Sequence, residues 1–239
     1  MENKKERSVY VVILAGGSGE RMQSRIPKQF LKLGKRTILQ ATVEQFVEAC
    51  PQARILTVLP QAHMQTWKDI CTDSMAYCPQ MLIPGGPTRF HSVRNALAKI
   101  PDGEIVVIHD GVRPFVSVKL IRDMLAEMQK CRALIPVLPI SDTLRWKDSS
   151  RSGPDRGSLL AVQTPQMFLS EDLKKAYGQA YKTSFTDDAS VAQEAGIEIC
   201  CFPGEKRNIK ITTPEDLCLG KALAEASLDP NLADEGLVQ

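Results

Sequence analysis

Gly16, Gly17 and Gly19 follow directly on an apolar run, and two cations, Arg21 and Lys28, stand just beyond them in the stretch AGGSGERMQSRIPKQF (15–30). Glycines let backbone N–H groups approach phosphate oxygens closely. Two cations past such a loop can hold a triphosphate and absorb charge as it forms. The bland alternative is a glycine turn with solvated cations. The loop is not a dinucleotide fingerprint, because Met22 stands where G-x-G-x-x-G needs its third glycine. No G-x-x-x-x-G-K-[ST] occurs anywhere. Glu20 replaces the last glycine of a G-x-S-x-G elbow, so Ser18 is a poor nucleophile candidate.

The elements that would position this loop follow a rhythm. Val9 to Ala15 is apolar and β-branched, which predicts a buried strand. Thr37 to Ala49 carries apolar residues at helical spacing, with Thr37 as N-cap. RILTVL is the next strand, Gln61 to Ile70 a helix, MLIPGG a short strand and turn, and HSVRNALAKI a helix ending near Pro101. EIVVIHDGVRPF reads as a strand running into a loop, VKLIRDMLAEMQK as a helix and ALIPVLPI as a strand. Alternating helices and fully apolar strands predict an α/β, Rossmann-like fold: a mainly parallel twisted sheet covered on both faces. Ligands of such sheets sit at the carboxyl ends of the strands.

Ser141 to Phe168 breaks the rhythm. It is polar, has SSRSG in its middle and lacks a helical period. A structureless excursion of that length is uncommon in a compact domain. The preferred expectation is a projecting β-arm over about 141–163, with DTLRWK and GSLLAVQ as its strands; a disordered insertion is the alternative. The 239 residues suit one domain, 1–239, with that arm attached. The tail past about Leu228 reads as frayed.

Composition narrows the classes. With 43% hydrophobic and 24% charged residues the chain is an ordinary globular one. A net charge of +2 is too small to argue for nucleic acid or a membrane surface. No apolar run reaches a membrane span. The charged-then-apolar start imitates a signal peptide, but its apolar stretch is short and enters the glycine loop. Seven cysteines, odd in number and without C-x-x-C, point to reduced thiols and a cytoplasmic setting. Three scattered histidines, His63, His91 and His109, make a zinc site improbable.

LAGGSGERM…PKQF resembles the signature loop of nucleotidyltransferases with a nucleotide-diphospho-sugar fold, and PKQ points to their cytidylyltransferase branch. With HDGVRPF (109–115), QTPQMF (163–168), TDDAS (186–190) and NIKITTPEDL (208–217), the chain resembles the 2-C-methyl-D-erythritol 4-phosphate cytidylyltransferase family of the non-mevalonate isoprenoid pathway. The motifs run in order from about Val9 to Ala222. Jointly they are specific; singly, only the first is strong. Ribitol-5-phosphate cytidylyltransferases share the loop, the HD-x-x-RPF and the NIKIT stretches. HDGVRPF and LAGG lean toward that rival, since the erythritol enzymes often carry Ala where Gly111 and Val112 stand. Thr143 in SDTL and Arg156 in DRGSLLAVQTPQ lean toward methylerythritol phosphate. A non-catalytic nucleotide-binding module would be expected to lose Arg21, Lys28 or Lys210, and all three are present. A nicotinamide-dependent reductase is disfavoured by Met22.

The resemblance implies roles. Arg21, Lys28 and Lys210 would be the catalytic cations on the triphosphate. Backbone groups of Ala15, Gly16, Gly17 and Gly19 would cradle phosphate and base. Gly85, Gly86 and Ser92 would read cytosine and ribose. Asp110 would order nearby cations and the nucleotide and face the second substrate. Arg113, Thr143, Arg156, Thr186 and Lys210 would bind that substrate, a polyol phosphate. Asp187 and Asp188 cap the following helix rather than bind metal. Mg²⁺ is expected on the CTP phosphates, with no dedicated protein cage. The arm would hook onto a second copy, giving a homodimer in which Arg156 reaches the neighbour's site.

Overall fold

The computed structural model describes residues 7–17, 22, 24, 26–73, 79–147 and 153–226. Ten strands and seven helices are described. The strands are β1 (Val9–Leu14), β2 (Lys32–Leu33), β3 (Arg36–Thr37), β4 (Arg54–Leu59), β5 (Gln80–Pro84), β6 (Ile105–Asp110), β7 (Ala133–Pro139), β8 (Leu160–Val162), β9 (Gln166–Leu169) and β10 (Cys200–Pro203). The helices are α1 (Ile38–Ala49), α2 (Met64–Asp73), α3 (Arg89–Leu97), α4 (Val118–Glu127), α5 (Ser170–Tyr177), α6 (Asp188–Glu194) and α7 (Pro214–Ala226).

The main sheet runs β10-β7-β9-β6-β1-β4-β5, with β8 added to β7. β5, β4, β1 and β6 are mutually parallel; β9 runs antiparallel between β6 and β7. This is the mostly parallel Rossmann-like sheet that the apolar strands predicted. The register places Leu14 opposite both Val58 and Asp110, so β1, β4 and β6 end at one level.

β1 shows why these strands are apolar throughout. Val11 and Ile13 pack with Leu39, Val43 and Phe46 of α1 and with Leu120, Ile121 and Met124 of α4. Tyr10 and Val12 pack on the other face with Phe90, Val93 and Leu97 of α3, Leu173 and Tyr177 of α5 and Val191 of α6. Alternate side chains point to opposite faces, and both faces are covered, so no position along the strand tolerates a polar residue.

α1 begins as expected. The Thr37 hydroxyl accepts from Gln40 N and the Gln40 side chain accepts from Thr37 N, a reciprocal capping box. The β2–β3 hairpin turns through Gly34 at φ +62°, a conformation that favours glycine. Asp187 is the N-cap of α6, taking Ser190 N, as the sequence predicted.

The arm differs from expectation. Asp142–Lys147 forms no strand. β8 pairs instead with the end of β7, Val137 opposite Val162 and Pro139 opposite Leu160. Pro139 has no N–H to donate, so the ladder ends there and the following segment leaves the sheet. The arm's middle, 148–152, and the tail past Leu228 lie outside the described residues.

Candidate functional site

A cleft of about 250 Å³ opens at the carboxyl ends of β1, β4, β5 and β6. Its walls include Ala15, Gly16 and Gly17 after β1, Lys28 and Gln29 from the following short 3₁₀ turn, and Gly86, Thr88, Arg89 and Ser92 around the start of α3. Asp110 at the end of β6 and Lys210 from the segment before α7 complete it.

Backbone hydrogen bonds fix each rim. Ala15 N donates to Val58 O at 2.9 Å, Gly85 N to Leu59 O at 2.8 Å and Gly111 N to Leu14 O at 2.8 Å. These bonds carry the sheet's spacing one residue past the strands, so the loops leave from defined points. Gln29, fully buried, donates from Nε2 to Ala15 O at 3.0 Å and pins the glycine loop from below. Lys28 is the residue before it, which brings its ammonium over the loop: a Cβ added to Gly17 would sit 3.7 Å from Lys28 Nζ.

The α3 rim is closed by Ser92. Gly86 N donates to Ser92 Oγ at 3.0 Å, and that hydroxyl donates onward to Thr88 O at 3.0 Å. Gly86 lies so close to α3 that an added Cβ would meet His91 Cβ at 2.4 Å.

Asp110 is the carboxylate of this cleft. Lys210 Nζ lies 2.9 Å and Arg113 Nε 3.4 Å from its Oδ2. Burial alone would raise the Asp110 carboxyl, but Lys210, then Arg89 and Arg113, hold it well below the usual carboxylate range. Arg113 is also fastened by Nη1 to Asn208 O at 2.7 Å.

Beneath Asp110 runs a relay that sequence reasoning missed. Asp110 N donates to Thr164 Oγ1 at 3.1 Å, Thr164 Oγ1 lies 3.0 Å from His109 Nδ1, and His109 Nε2 lies 3.0 Å from Arg113 O. A carbonyl can only accept, so Nε2 carries a proton. Burial pushes the imidazole down to about 4, so near neutral pH it is uncharged and Nδ1 accepts from the Thr164 hydroxyl. Asn208 Nδ2 donates to Thr164 O at 2.7 Å, and Gln163 bonds Glu205 and Asn208. QTPQ and NIKIT are thus, in part, a brace for the end of β6. Their polar residues in an apolar neighbourhood were the signal available in the sequence.

The structure brings Ala15, Gly16, Gly17, Lys28, Gly86, Ser92, Asp110 and Lys210 to one cleft, with Gly85 just behind Ser92. Gly19 and Arg21 lie outside the described residues. Arg113 stands against Asp110 and Asn208 rather than in the cleft wall. Thr143, Arg156 and Thr186 are exposed and do not line it; Arg156 Nη1 donates to Ser141 O at 2.9 Å. Arg89 and Gln29 are cleft residues the sequence did not single out. Among the described residues no three His, Cys, Asp or Glu side chains converge as a metal cluster.

The sequence model of the 2-C-methyl-D-erythritol 4-phosphate cytidylyltransferases matches residues 9–228. The chain belongs to that family. A 2-C-methyl-D-erythritol 4-phosphate cytidylyltransferase of Bacteroides thetaiotaomicron is 42% identical over 214 residues, covering 89% of this chain and 98% of its own. One of Phocaeicola vulgatus is 43% identical over 216 residues, covering 90% and 98%. Among solved structures, the Thermus thermophilus cytidylyltransferase superposes with a TM-score of 0.70 at 32% identity, covering 91% of this chain and 99% of that one. A 4-diphosphocytidyl-2C-methyl-D-erythritol synthase from Anaerococcus prevotii gives 0.77 at 26% identity, covering 92% and 99%. Family membership makes the chain a cytidylyltransferase and does not favour the ribitol-phosphate, reductase or non-catalytic readings. The mixed sheet is the fold this chain shares with those solved structures.

Proposed function

We infer that this cytidylyltransferase transfers CMP from CTP to 2-C-methyl-D-erythritol 4-phosphate, releasing pyrophosphate and serving isoprenoid precursor synthesis. The observation that carries the reading is the convergence of Lys28 and Lys210 on one cleft with the glycine loop, around the buried carboxylate of Asp110.

A phosphate oxygen of the polyol phosphate attacks the α-phosphorus of CTP; a new P–O–P linkage forms as the α–β bond breaks and pyrophosphate leaves. A phosphate monoester loses its second proton near pH ~6, so the nucleophile arrives ionised and needs no general base. The buried neutral His109 is consistent with that. Catalysis is positioning and charge stabilisation. Lys28 and, from its place in the sequence, Arg21 serve the triphosphate. Lys210, held by Asp110, faces both phosphates. Backbone groups of Ala15 to Gly19 and of Gly85 and Gly86 read the nucleotide, with Ser92 fixing Gly86. Arg113, Thr143, Thr186 and, from a second copy, Arg156 take the polyol phosphate.

The residues fit a Mg²⁺ carried mainly by the nucleotide, because Asp110 is the one carboxylate at the cleft wall among the described residues and already faces two cations. When bound, Mg²⁺ supplies charge neutralisation on the triphosphate. The arm supports a homodimer: Trp146, Leu160 and Val162 on it are 50, 49 and 42% exposed, apolar surface that a second copy would cover. All described elements pack on one sheet and its short hairpin, which supports one nucleotidyltransferase unit over 1–239. No helix among the described residues is long and apolar enough to cross a membrane, and the six described cysteines are free; both support a cytoplasmic setting.

Pyrophosphate release tests the reading. CTP with methylerythritol phosphate is expected to give turnover; CTP with ribitol 5-phosphate is not. Turnover only with the latter, or with neither, overturns it.

A further inference from the structure

Arg89 is the first residue of α3 and lines the cleft, yet its guanidinium is spoken for from behind. Nη1 donates to Asp188 Oδ1 at 2.9 Å and Nη2 to Oδ2 at 2.5 Å. Asp188 is the first residue of α6 and wholly buried. Its Oδ1 takes a second bond, from the Tyr177 hydroxyl at the end of α5, at 2.6 Å. Three helices therefore meet on one carboxylate.

The anchor is itself anchored. Asp187 Oδ2 accepts from Gln166 Nε2 at 2.8 Å, and Ala189 N donates to Gln166 Oε1 at 2.9 Å. Gln166 begins β9, beside β6, so the start of α6 is tied to the sheet on both sides of Asp188. Phe90 stacks on Tyr177, with centroids 4.6 Å apart, and fixes the ring that holds the hydroxyl. A planar fork in bidentate contact has a defined plane, unlike a solvated arginine.

We propose that Asp188 is a positioning residue for nucleotide binding: clamped by Tyr177, it holds the Arg89 guanidinium in the cleft wall and away from Asp110. Asp110 is the competing partner, since Arg89 already contributes to the positive field on it. Released from Asp188, Arg89 would swing toward Asp110, contest it with Lys210 and narrow the nucleotide's place. Arg89 is charged in both arrangements, as an arginine is at any ordinary pH; in the clamped one burial opposes the charge, and Asp188 with Asp110 and Tyr177 together more than offset it. The proposal rests on reading the cleft as the CTP site.

Steady-state kinetics with CTP and methylerythritol phosphate, each varied in turn, test it in the full-length protein. Asp188→Asn keeps the shape and the Tyr177 contact but loses the charge. It is expected to raise KM for CTP about tenfold, with KM for the polyol phosphate within twofold. In an Arg89→Leu background the same change should add nothing further to KM for CTP. Tyr177→Phe, which leaves the charge pair in place, should raise KM for CTP about twofold to threefold and decides the matter if Asp188→Asn does not fold. An Asp188→Asn protein with unchanged KM for CTP and only a lowered melting temperature would make Asp188 merely structural and overturn the proposal. An Asp188→Asn change that raises KM for CTP as much in the Arg89→Leu background as in the wild type would also overturn it. Wild-type protein that releases no pyrophosphate from CTP would instead overturn the reading of the cleft, and the proposal with it.

Discussion

Lys210 Nζ lies 2.9 Å from Asp110 Oδ2, although the two residues stand 100 positions apart in the chain. Asp110 is buried at the end of β6, while the Lys210 side chain is 42% exposed. The pair thus has a fixed inner member and an outer member that reaches solvent and ligand. Its anion orients a cation for use on a phosphate.

Removing either member is expected to act on turnover by different routes. Lys28→Ala deletes a cation at the cleft and should lower kcat about 10²- to 10³-fold, with melting temperature little changed; Lys210→Ala should lower kcat similarly and also lower stability, because buried Asp110 loses its nearest counter-charge. Arg21→Ala is expected to act as Lys28→Ala does. Asp110→Asn leaves Lys210 and Arg113 facing each other without their anion, so it should lower both kcat and stability. Near-wild-type pyrophosphate release in the Lys28 or Lys210 variant would contradict the assignment.

Gly86→Ala places a methyl group where His91 Cβ already stands. Either α3 shifts or the loop lifts away from Ser92. Overpacking of this kind costs about 1–3 kcal/mol, and KM for CTP should rise because Gly86 N loses Ser92 Oγ. Urea unfolding and CTP kinetics on one preparation check both parts.

His109 predicts a pH window. Its folded value is about 4 against an ordinary 6.5, so the unfolded chain binds more protons between those values. Stability therefore falls as pH drops from about 6.5 to about 4, by an amount on the order of 3 kcal/mol. Below that the term is spent. Asp110, depressed, begins to lose its contribution only below about 3.8. In His109→Gln the upper window should flatten while the lower one persists, and the chemical step should survive. Urea unfolding at half-unit pH intervals resolves the two.

The arm is tested by mixing. Lys28→Ala chains keep an intact arm, and Arg156→Ala chains keep an intact nucleotide cleft. Co-refolded in equal amounts, half the two-fold dimers would be mixed and carry one complete site each, restoring about a quarter of wild-type activity. No recovery, a fully active Arg156→Ala protein or a monomer at working concentration would rule out a shared site.

What the sequence made legible was what depends on neighbours in the chain. The apolar run of β1, the Thr37 cap and the Asp187 cap are local patterns, and each stands where the residues predicted. The glycine loop with Lys28 was readable because phosphate chemistry concentrates its groups in a short stretch. The Arg89–Asp188 clamp was not, since no period connects α3 to α6: Arg89 alone looks like a surface charge, and Asp188, expected as a second cap, leaves the cap to Asp187 and turns its carboxylate to Arg89 and Tyr177. The β8–β7 pairing was missed for a related reason. DTLRWK alternates like a strand, but Pro139 ends the ladder before it, and that depends on the sheet edge rather than on the segment.

β1 lies at the centre of the sheet, with β4 and β6 on either side and both faces covered. Its amides are expected to reach solvent deuterons only when the whole protein unfolds, whereas amides past the strand ends, outside any ladder, are expected to exchange sooner. Ala15 N and Gly111 N are the last rungs before that change. In hydrogen-exchange terms, the border between the slowest and the fastest amides runs through Ala15 and Gly16. The nucleotide would dock on that border, and its binding should carry slow exchange outward into the glycine loop.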